Sequence, residues 1–248
     1  MAVDRLVHAH FTARAERYNR SSHWVSDAEL GRFTVENLAP KPTDTLLDIA
    51  CGTGEVSRHF RGRVARIVGV DITPAMAAQA AGHIDEFVES PAEALPFPDG
   101  SFDLVVCRQG TQFMRDGEAV AEMVRVLRPG GRVCLVHLCA YGEGDRAEYF
   151  EILRLRNEAR RNFYLREDLA RLLTAAGAEA VEVHDWVSVE DVDVWSNTGA
   201  ITEVAREGIR AVYRTASPAF RELHAVQVGD RIVDHMLFGV AVGQKPAS

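Results

Sequence analysis

Apolar residues gather into short runs along the chain, at 45–50, 65–71, 103–108, 132–138, 180–187 and 235–242. Short runs dominated by Val, Ile and Leu, with little polar alternation, are the pattern of strands buried on both faces. Apolar positions at helical spacing fill most of the intervals. Strands that alternate with helices predict a mostly parallel sheet covered by helices on both sides. Local punctuation agrees: Thr73-Pro74 opens a helix at Ala75, and Pro129-Gly130-Gly131 closes the helix that carries Val120 to Leu127 before the next strand.

Two stretches stand outside this alternation. Residues 1–40 read as an aromatic-bearing helical lid, 41–187 as the core, and 188–248 as a substrate-covering insertion followed by the final strand, all packed as one globular domain. The 248 residues, 47% hydrophobic and 26% charged, are enough for one such domain with a substantial core. No apolar stretch approaches the roughly 18 residues a membrane span requires. Residues 1–20 lack an apolar signal core, so the expected compartment is the cytoplasm.

The formal charge of -8 argues against nucleic acid as the main partner, because that affinity comes largely from Lys and Arg against phosphates. Lysine occurs only at Lys41 and Lys245, leaving arginine to supply nearly all the positive charge. Cys51, Cys107, Cys134 and Cys139 form no paired CxxC, and no His cluster accompanies them; free buried thiols and no metal are expected.

The segment Asp48-Ile49-Ala50-Cys51-Gly52-Thr53-Gly54 is an apolar strand running into a glycine turn. Glycine reaches backbone angles other residues resist and lacks a Cβ that would block a ligand lying on the main chain. Asp71 ends the next apolar strand, 17 residues beyond Gly54. That is near the distance at which an acid accepts ribose hydroxyls in nucleotide-binding folds. Turn and acid together point to a nucleoside ligand. Ser57 occupies the position of the third glycine or alanine of the dinucleotide pattern, which weakens a pyrophosphate reading.

The same residues resemble the class I S-adenosylmethionine-dependent methyltransferases. Asp48–Gly54 looks like their first motif, and Asp71 falls where they bind ribose. Residues 94–103, from Ala94-Leu95-Pro96-Phe97 to Phe102-Asp103, and Val126-Leu127-Arg128-Pro129-Gly130-Gly131 look like their motifs before the fourth and fifth strands. The resemblance covers about residues 40–187. It implies a Rossmann-like, doubly wound, mostly parallel seven-stranded sheet and S-adenosylmethionine as cofactor. It also implies Ala50, Gly52 and Gly54 near the methionine moiety, Asp71 and Ile72 at ribose and adenine, Ala92 and Glu93 at the adenine edge, Arg108 on the methionine side, and Asp48 and Met76 as further cofactor-binding residues. Pro91 departs from the acidic residue that relatives usually carry there, leaving Glu93 or a backbone carbonyl to meet the adenine amino group.

The implied reaction is O- or C-methylation of a phenol, quinol or acid, and the quinone-biosynthesis C-methyltransferases are the nearest group in pattern. Two other readings stay open: a protein of this fold that performs another reaction or only binds the cofactor, and a nucleotide-dependent oxidoreductase on the same turn. His137, at the carboxyl end of a strand, is the first candidate base, and His23 the second. Tyr18, His23 and Trp24 are candidates for an aromatic cover. Gln109, Tyr141, Arg156 and Trp195 are candidate substrate contacts, Arg156 lying one helical turn from Arg160 where the pair suits a carboxylate or phosphate. A solvated arginine face paired with Glu151 and Glu158 is the competing reading. A homodimer is compatible with the pattern.

Overall fold

The computed structural model describes residues 7–12 and 23–247. Residues 7–12 are helical (α1), and α2 spans Ala28–Leu38. The sheet is built from β1 (Thr45–Ile49), β2 (Arg66–Asp71), β3 (Glu86–Glu89), β4 (Phe102–Arg108), β5 (Leu127–Ala140), β7 (Glu179–Asp191) and β9 (Ile232–Gln244). Their order in space is β3-β2-β1-β4-β5-β9-β7. The pairs among β1 to β5 are parallel, while β9 runs antiparallel to both β5 and β7. Two further strands of two residues each, β6 (Tyr164–Leu165) and β8 (Gln227–Val228), pair with β5 and β9. The sheet in the described residues therefore has nine strands rather than seven; the seven-strand path is intact, and the additions are two-residue pairings at the ends of the interior strands β5 and β9, too short to leave a periodic signal.

Side chains leave a strand alternately to its two faces, which divides each apolar run between two cores. Leu46, Leu104, Val106, Cys134, Val136 and Leu138 pack on one side of the sheet. Leu47, Ile49, Val68, Val70, Val105, Cys107, Val133 and Leu135 pack on the other. Burial on both faces is why these strands read as unbroken apolar runs. All four cysteines are buried free thiols.

Two local expectations shift. The helix carrying Val120 is α5 (Asp116–Arg125) and ends before Pro129-Gly130-Gly131, because Leu127 already pairs with Phe102 across a bulge in β4 and β5. Strand β3 escaped the apolar pattern because it is four residues long, with both ends exposed.

The chain winds from β1 outward through β2 and β3, then returns past β1 to β4. In open α/β sheets such a reversal opens a crevice beyond the carboxyl ends of the strands, where ligands bind. The connecting helices include α3 (Ser57–Phe60), α4 (Pro74–Ala77), α6 (Arg146–Arg156) and α7 (Arg166–Ala175). Between β7 and β8 lie α8 (Val192–Ser196), α9 (Glu203–Thr215) and α10 (Pro218–Leu223).

Candidate functional site

A cavity of about 500 Å³ occupies that crevice, within the size range of small-molecule and cofactor sites. Every strand on its side of the sheet contributes the residues just past its carboxyl end. Ala50 and Gly52 follow β1, Ile72 and Thr73 follow Asp71 of β2, Ser90 to Glu93 follow β3, and Gln109 and Gly110 follow Arg108 of β4. Residues Val7, His8 and Phe11 of α1 complete the wall together with Phe113 and Met114.

The glycine turn shows why these residue types stand there. Gly52 has φ +51°, and a Cβ built on it lies 3.3 Å from Met76 Cε; both residues face the same cavity. Gly54 lines none of it. Its φ is +75°, and a Cβ there would sit 2.9 Å from His83 Cβ, so Gly54 serves the packing of the turn against the segment after α4. Ala50 and Gln109 also hold left-handed backbone angles, at φ 53° and 56°, and both line the cavity. Non-glycine residues held in that region carry strain that gathers at ligand sites.

Asp71 is fixed by the backbone around it. Its Oδ2 accepts from Gly52 N at 2.9 Å and its Oδ1 from Thr73 N at 2.8 Å. Burial raises its pKa from the ordinary value, and those backbone donors pull it back. Each carboxylate oxygen keeps a further lone pair for a ligand hydroxyl. Asp48 lies deeper and off the cavity wall: Ser57 Oγ donates to its Oδ2 at 2.6 Å. Burial pushes its pKa up to about 7 against the hydrogen bond from Ser57 and the charge of Arg108. Ser57 thus ties α3 to β1 at the position where dinucleotide folds use a glycine.

Arg108 lines the cavity, donates to Val25 O at 2.9 Å and lies 5.6 Å from the centroid of the Trp24 ring. Ile72, Met76, Ala92 and Glu93 line the cavity too, though Glu93 Oε1 already accepts from Arg115 N at 2.9 Å. The set fits a nucleoside-bearing cofactor: an anchored acid for a diol, a cradle that a Cβ at Gly52 would narrow, and the apolar side chains of Val70, Ile72, Met76 and Ala92 for a flat base.

The candidate bases stand apart from this cavity. His137 is buried on β5, with its Nε2 3.0 Å from Thr111 Oγ1, and burial together with the charge of Arg160 lowers its pKa to about 3. It joins a polar cluster in which Tyr164 Oη lies 3.1 Å from both Thr111 Oγ1 and Asp116 Oδ2, donating to the Asp116 carboxylate and accepting from the Thr111 hydroxyl. His137 does not line the cavity because its side chain leaves β5 toward β6 and that cluster. His23 is exposed, and its backbone N donates to Glu190 at 3.1 Å. Tyr141 donates to His235 O at 2.8 Å, outside the cavity. Trp24, Gln109 and Arg156 meet at a smaller crevice next to the cavity, while Trp195 is fully buried beneath the Arg156 guanidinium. Tyr18 lies outside the described residues. The motif reading missed His8, Thr73, Ser90, Phe113 and Met114; only the aromatic content of the N-terminal stretch and the Thr73-Pro74 helix start gave any signal there.

A sheet of this topology with a glycine cradle and an anchored acid at its carboxyl edge defines a nucleoside-binding site of the methyltransferase type. Comparison with known proteins agrees. The family described as "Methyltransferase domain" matches residues 47–135. The demethylmenaquinone methyltransferase of Thermus thermophilus is 37% identical over 138 residues, covering 51% of this chain and 63% of that protein. The ubiquinone/menaquinone biosynthesis C-methyltransferase UbiE of Stutzerimonas stutzeri is 31% identical over 186 residues, covering 62% of this chain and 72% of that one. The chain spans about half the length of several other curated relatives. The crystal structure of Bacillus subtilis YcgJ shares the fold, with a TM-score of 0.81 and 24% identity over 90% of this chain and all of that one. The chain belongs to the class I S-adenosylmethionine-dependent methyltransferase family.

Proposed function

We propose that this protein transfers a methyl group from S-adenosylmethionine to carbon or oxygen of a small phenol, quinol or acid. The observation that carries the reading is Asp71, held by the amides of Gly52 and Thr73 at the wall of the cavity beside the glycine turn. The cofactor, when bound, supplies a methyl group on a positively charged sulfonium. Gly52 and Ala50 would hold its amino-acid part, Asp71 its ribose, and Ile72, Met76 and Ala92 its base. Phe11, Phe113 and Met114 would keep water from the reacting groups, which strengthens the electrostatic interactions within the site. Close positioning of acceptor and methyl is worth up to about 7–11 kcal/mol in favourable cases. His8 is the histidine on the cavity wall and the one placed to take a proton from an acceptor hydroxyl. Residues 1–40 act as a lid, 41–187 as the cofactor-binding core, and 188–248 as the cover on the acceptor side. Four free thiols favour a reducing compartment such as the cytoplasm, and no described helix is long and apolar enough to cross a membrane.

Thermal unfolding with S-adenosylhomocysteine, with NAD as control, tests the reading. A ligand at about 100 times its Kd adds roughly 2.7 kcal/mol, a rise of several degrees for a chain of this size. A shift with S-adenosylhomocysteine alone is expected, followed by methyl transfer to phenolic, quinol and acid acceptors. A shift with NAD alone overturns it.

A further inference from the structure

A crevice with about 20 Å³ of free space adjoins the main cavity, sharing Phe11, Gln109 and Phe113 with it. The rings of Phe11 and Phe113 meet edge to face at 5.3 Å where the two spaces join. Behind them, the crevice walls carry buried polar groups, two donors and one acceptor, that the protein leaves without partners. Gln112 Nε2 donates to Gln109 Oε1 at 3.0 Å, which leaves Gln109 Nε2 and Gln112 Oε1 buried without partners. Trp24 Nε1, on the same wall, is a third buried group without a partner. Buried polar groups in folded proteins are nearly always satisfied, so a cluster of orphans on one wall marks a place where a ligand completes them.

Arg160 makes the case one for an anion. Its Nη1 donates to Asn162 O at 3.4 Å, its guanidinium lies 5.6 Å from the Phe163 centroid, and no carboxylate among the described residues pairs with it. Burial lowers its pKa to about 10, which still leaves it charged at neutral pH. Arg160 is half-buried, and a cation partly withdrawn from water with no counter-ion among the described residues is costly. Arg156 adds a second positive charge on this wall, aimed by Trp195: its Nε donates to Trp195 O at 3.1 Å and its guanidinium lies 4.3 Å from the Trp195 centroid.

We infer that this crevice seats a carboxylate of the methyl acceptor against Arg160, with Gln109 and Trp24 as further donors, and that the acceptor is a planar carboxylic acid. This rests on the methyltransferase reading above. A water-sized site needs about 10–15 Å³, so the crevice takes the oxygens of a small head group and no more. The body of the acid lies toward the main cavity, against the Phe11 and Phe113 rings that line it, where a flat unsaturated skeleton packs best. The planar guanidinium matches a carboxylate with two parallel hydrogen bonds, which an ammonium cannot do.

Calorimetric titration of the full chain saturated with S-adenosylhomocysteine tests this, with benzoate, salicylate and 4-hydroxybenzoate as probes and their amides as neutral controls. At least one carboxylate binds the wild-type complex more tightly than its amide. Arg160→Gln weakens it by about 30-fold or more, Arg160→Lys weakens it less, and the amides respond to neither change. Unchanged S-adenosylhomocysteine affinity in both variants shows that they remain folded. Binding of none of the three acids, equal binding of acid and amide, or an acid affinity indifferent to Arg160→Gln overturns the inference. Failure of S-adenosylhomocysteine to bind the wild-type protein sinks the methyltransferase reading instead, and the acid titration of the free protein still decides the crevice.

Discussion

At the cofactor cradle, Asp71 is held by the backbone amides of Gly52 and Thr73, 19 and 2 residues away in sequence. In the cap beyond the end of β5, His224 is held by carboxylates at Asp145 and Asp234, 79 and 10 residues away, each at 2.8 Å. All three cap side chains are buried, Tyr213 Oη donates to Asp234 Oδ2 at 2.5 Å, and the imidazole stacks on Phe220 at 4.1 Å. The cradle is thus geometry written into the path of the backbone. The cap is a charge arrangement that exists only when α6, α9, α10 and β9 have met. Changes at the cradle should therefore act on ligand binding, and changes in the cap on stability.

The largest effect is expected at His224. His224→Ala leaves two buried carboxylates facing a hole, and breaking a buried charge pair by removing one partner costs about 3–5 kcal/mol. Denaturant unfolding should show that loss, while S-adenosylhomocysteine affinity of the folded fraction stays unchanged; a large loss of affinity would break the division between the two regions. The same network sets a pH dependence. Burial alone would lower the pKa of His224, but the hydrogen bonds and charges of Asp145 and Asp234 outweigh it and raise it to about 9 from an ordinary 6.5. The folded state then binds the proton more tightly than the unfolded chain. The stabilisation is complete below about pH 6.5 and is lost as pH rises through about 9. Thermal unfolding between pH 6 and 10 should show the wild-type Tm falling further than that of His224→Ala; parallel curves would mean the imidazole is neutral throughout.

The next effect belongs to the cradle. On the proposed ribose role, Asp71→Ala removes a charged acceptor of two ligand hydroxyls, and hydrogen bonds to charged groups contribute about 1.5–3 kcal/mol each. Calorimetry should find S-adenosylhomocysteine bound roughly 30-fold or more weakly to the folded protein, with some loss of stability from the freed Gly52 and Thr73 amides. Unchanged affinity would refute the ribose role.

Ser57→Ala is the smallest. It deletes the 2.6 Å hydrogen bond to Asp48 behind the turn, and one such bond contributes about 0.5–1.5 kcal/mol. Denaturant unfolding should register that loss, with cofactor affinity preserved because neither residue lines the cavity. A drop in affinity of tenfold or more would show that the Ser57–Asp48 tie shapes the turn itself.

How much was legible follows the same division. The apolar runs, the glycine turn and Asp71 at the end of its strand are short-range patterns, and they locate the sheet and one wall of the cavity directly. The candidate base at the carboxyl end of β5 shows the limit of that reading. The end of a strand is visible in sequence, and so is the face that His137 shares with Val133 and Leu135, but what it meets on that face, Thr111 and Tyr164, lies 26 and 27 residues along the chain. His8 and Phe11 carry no periodic signature that would place them across from Gly52, and nothing local tells that Glu190 takes the amide of Trp24 from 166 residues away.

What the amino-acid sequence determined by itself is therefore the sheet, its glycine cradle and the acid beside it, because these depend on backbone angles and on burial periodicity within a few residues. Only the tertiary structure decided the acceptor side. There, Arg160 with no paired carboxylate among the described residues, the orphaned amides of Gln109 and Gln112, and the Phe11–Phe113 pair come from three separate segments of the chain. Their chemistry arises from desolvation and mutual approach, which no single segment possesses before the chain has folded.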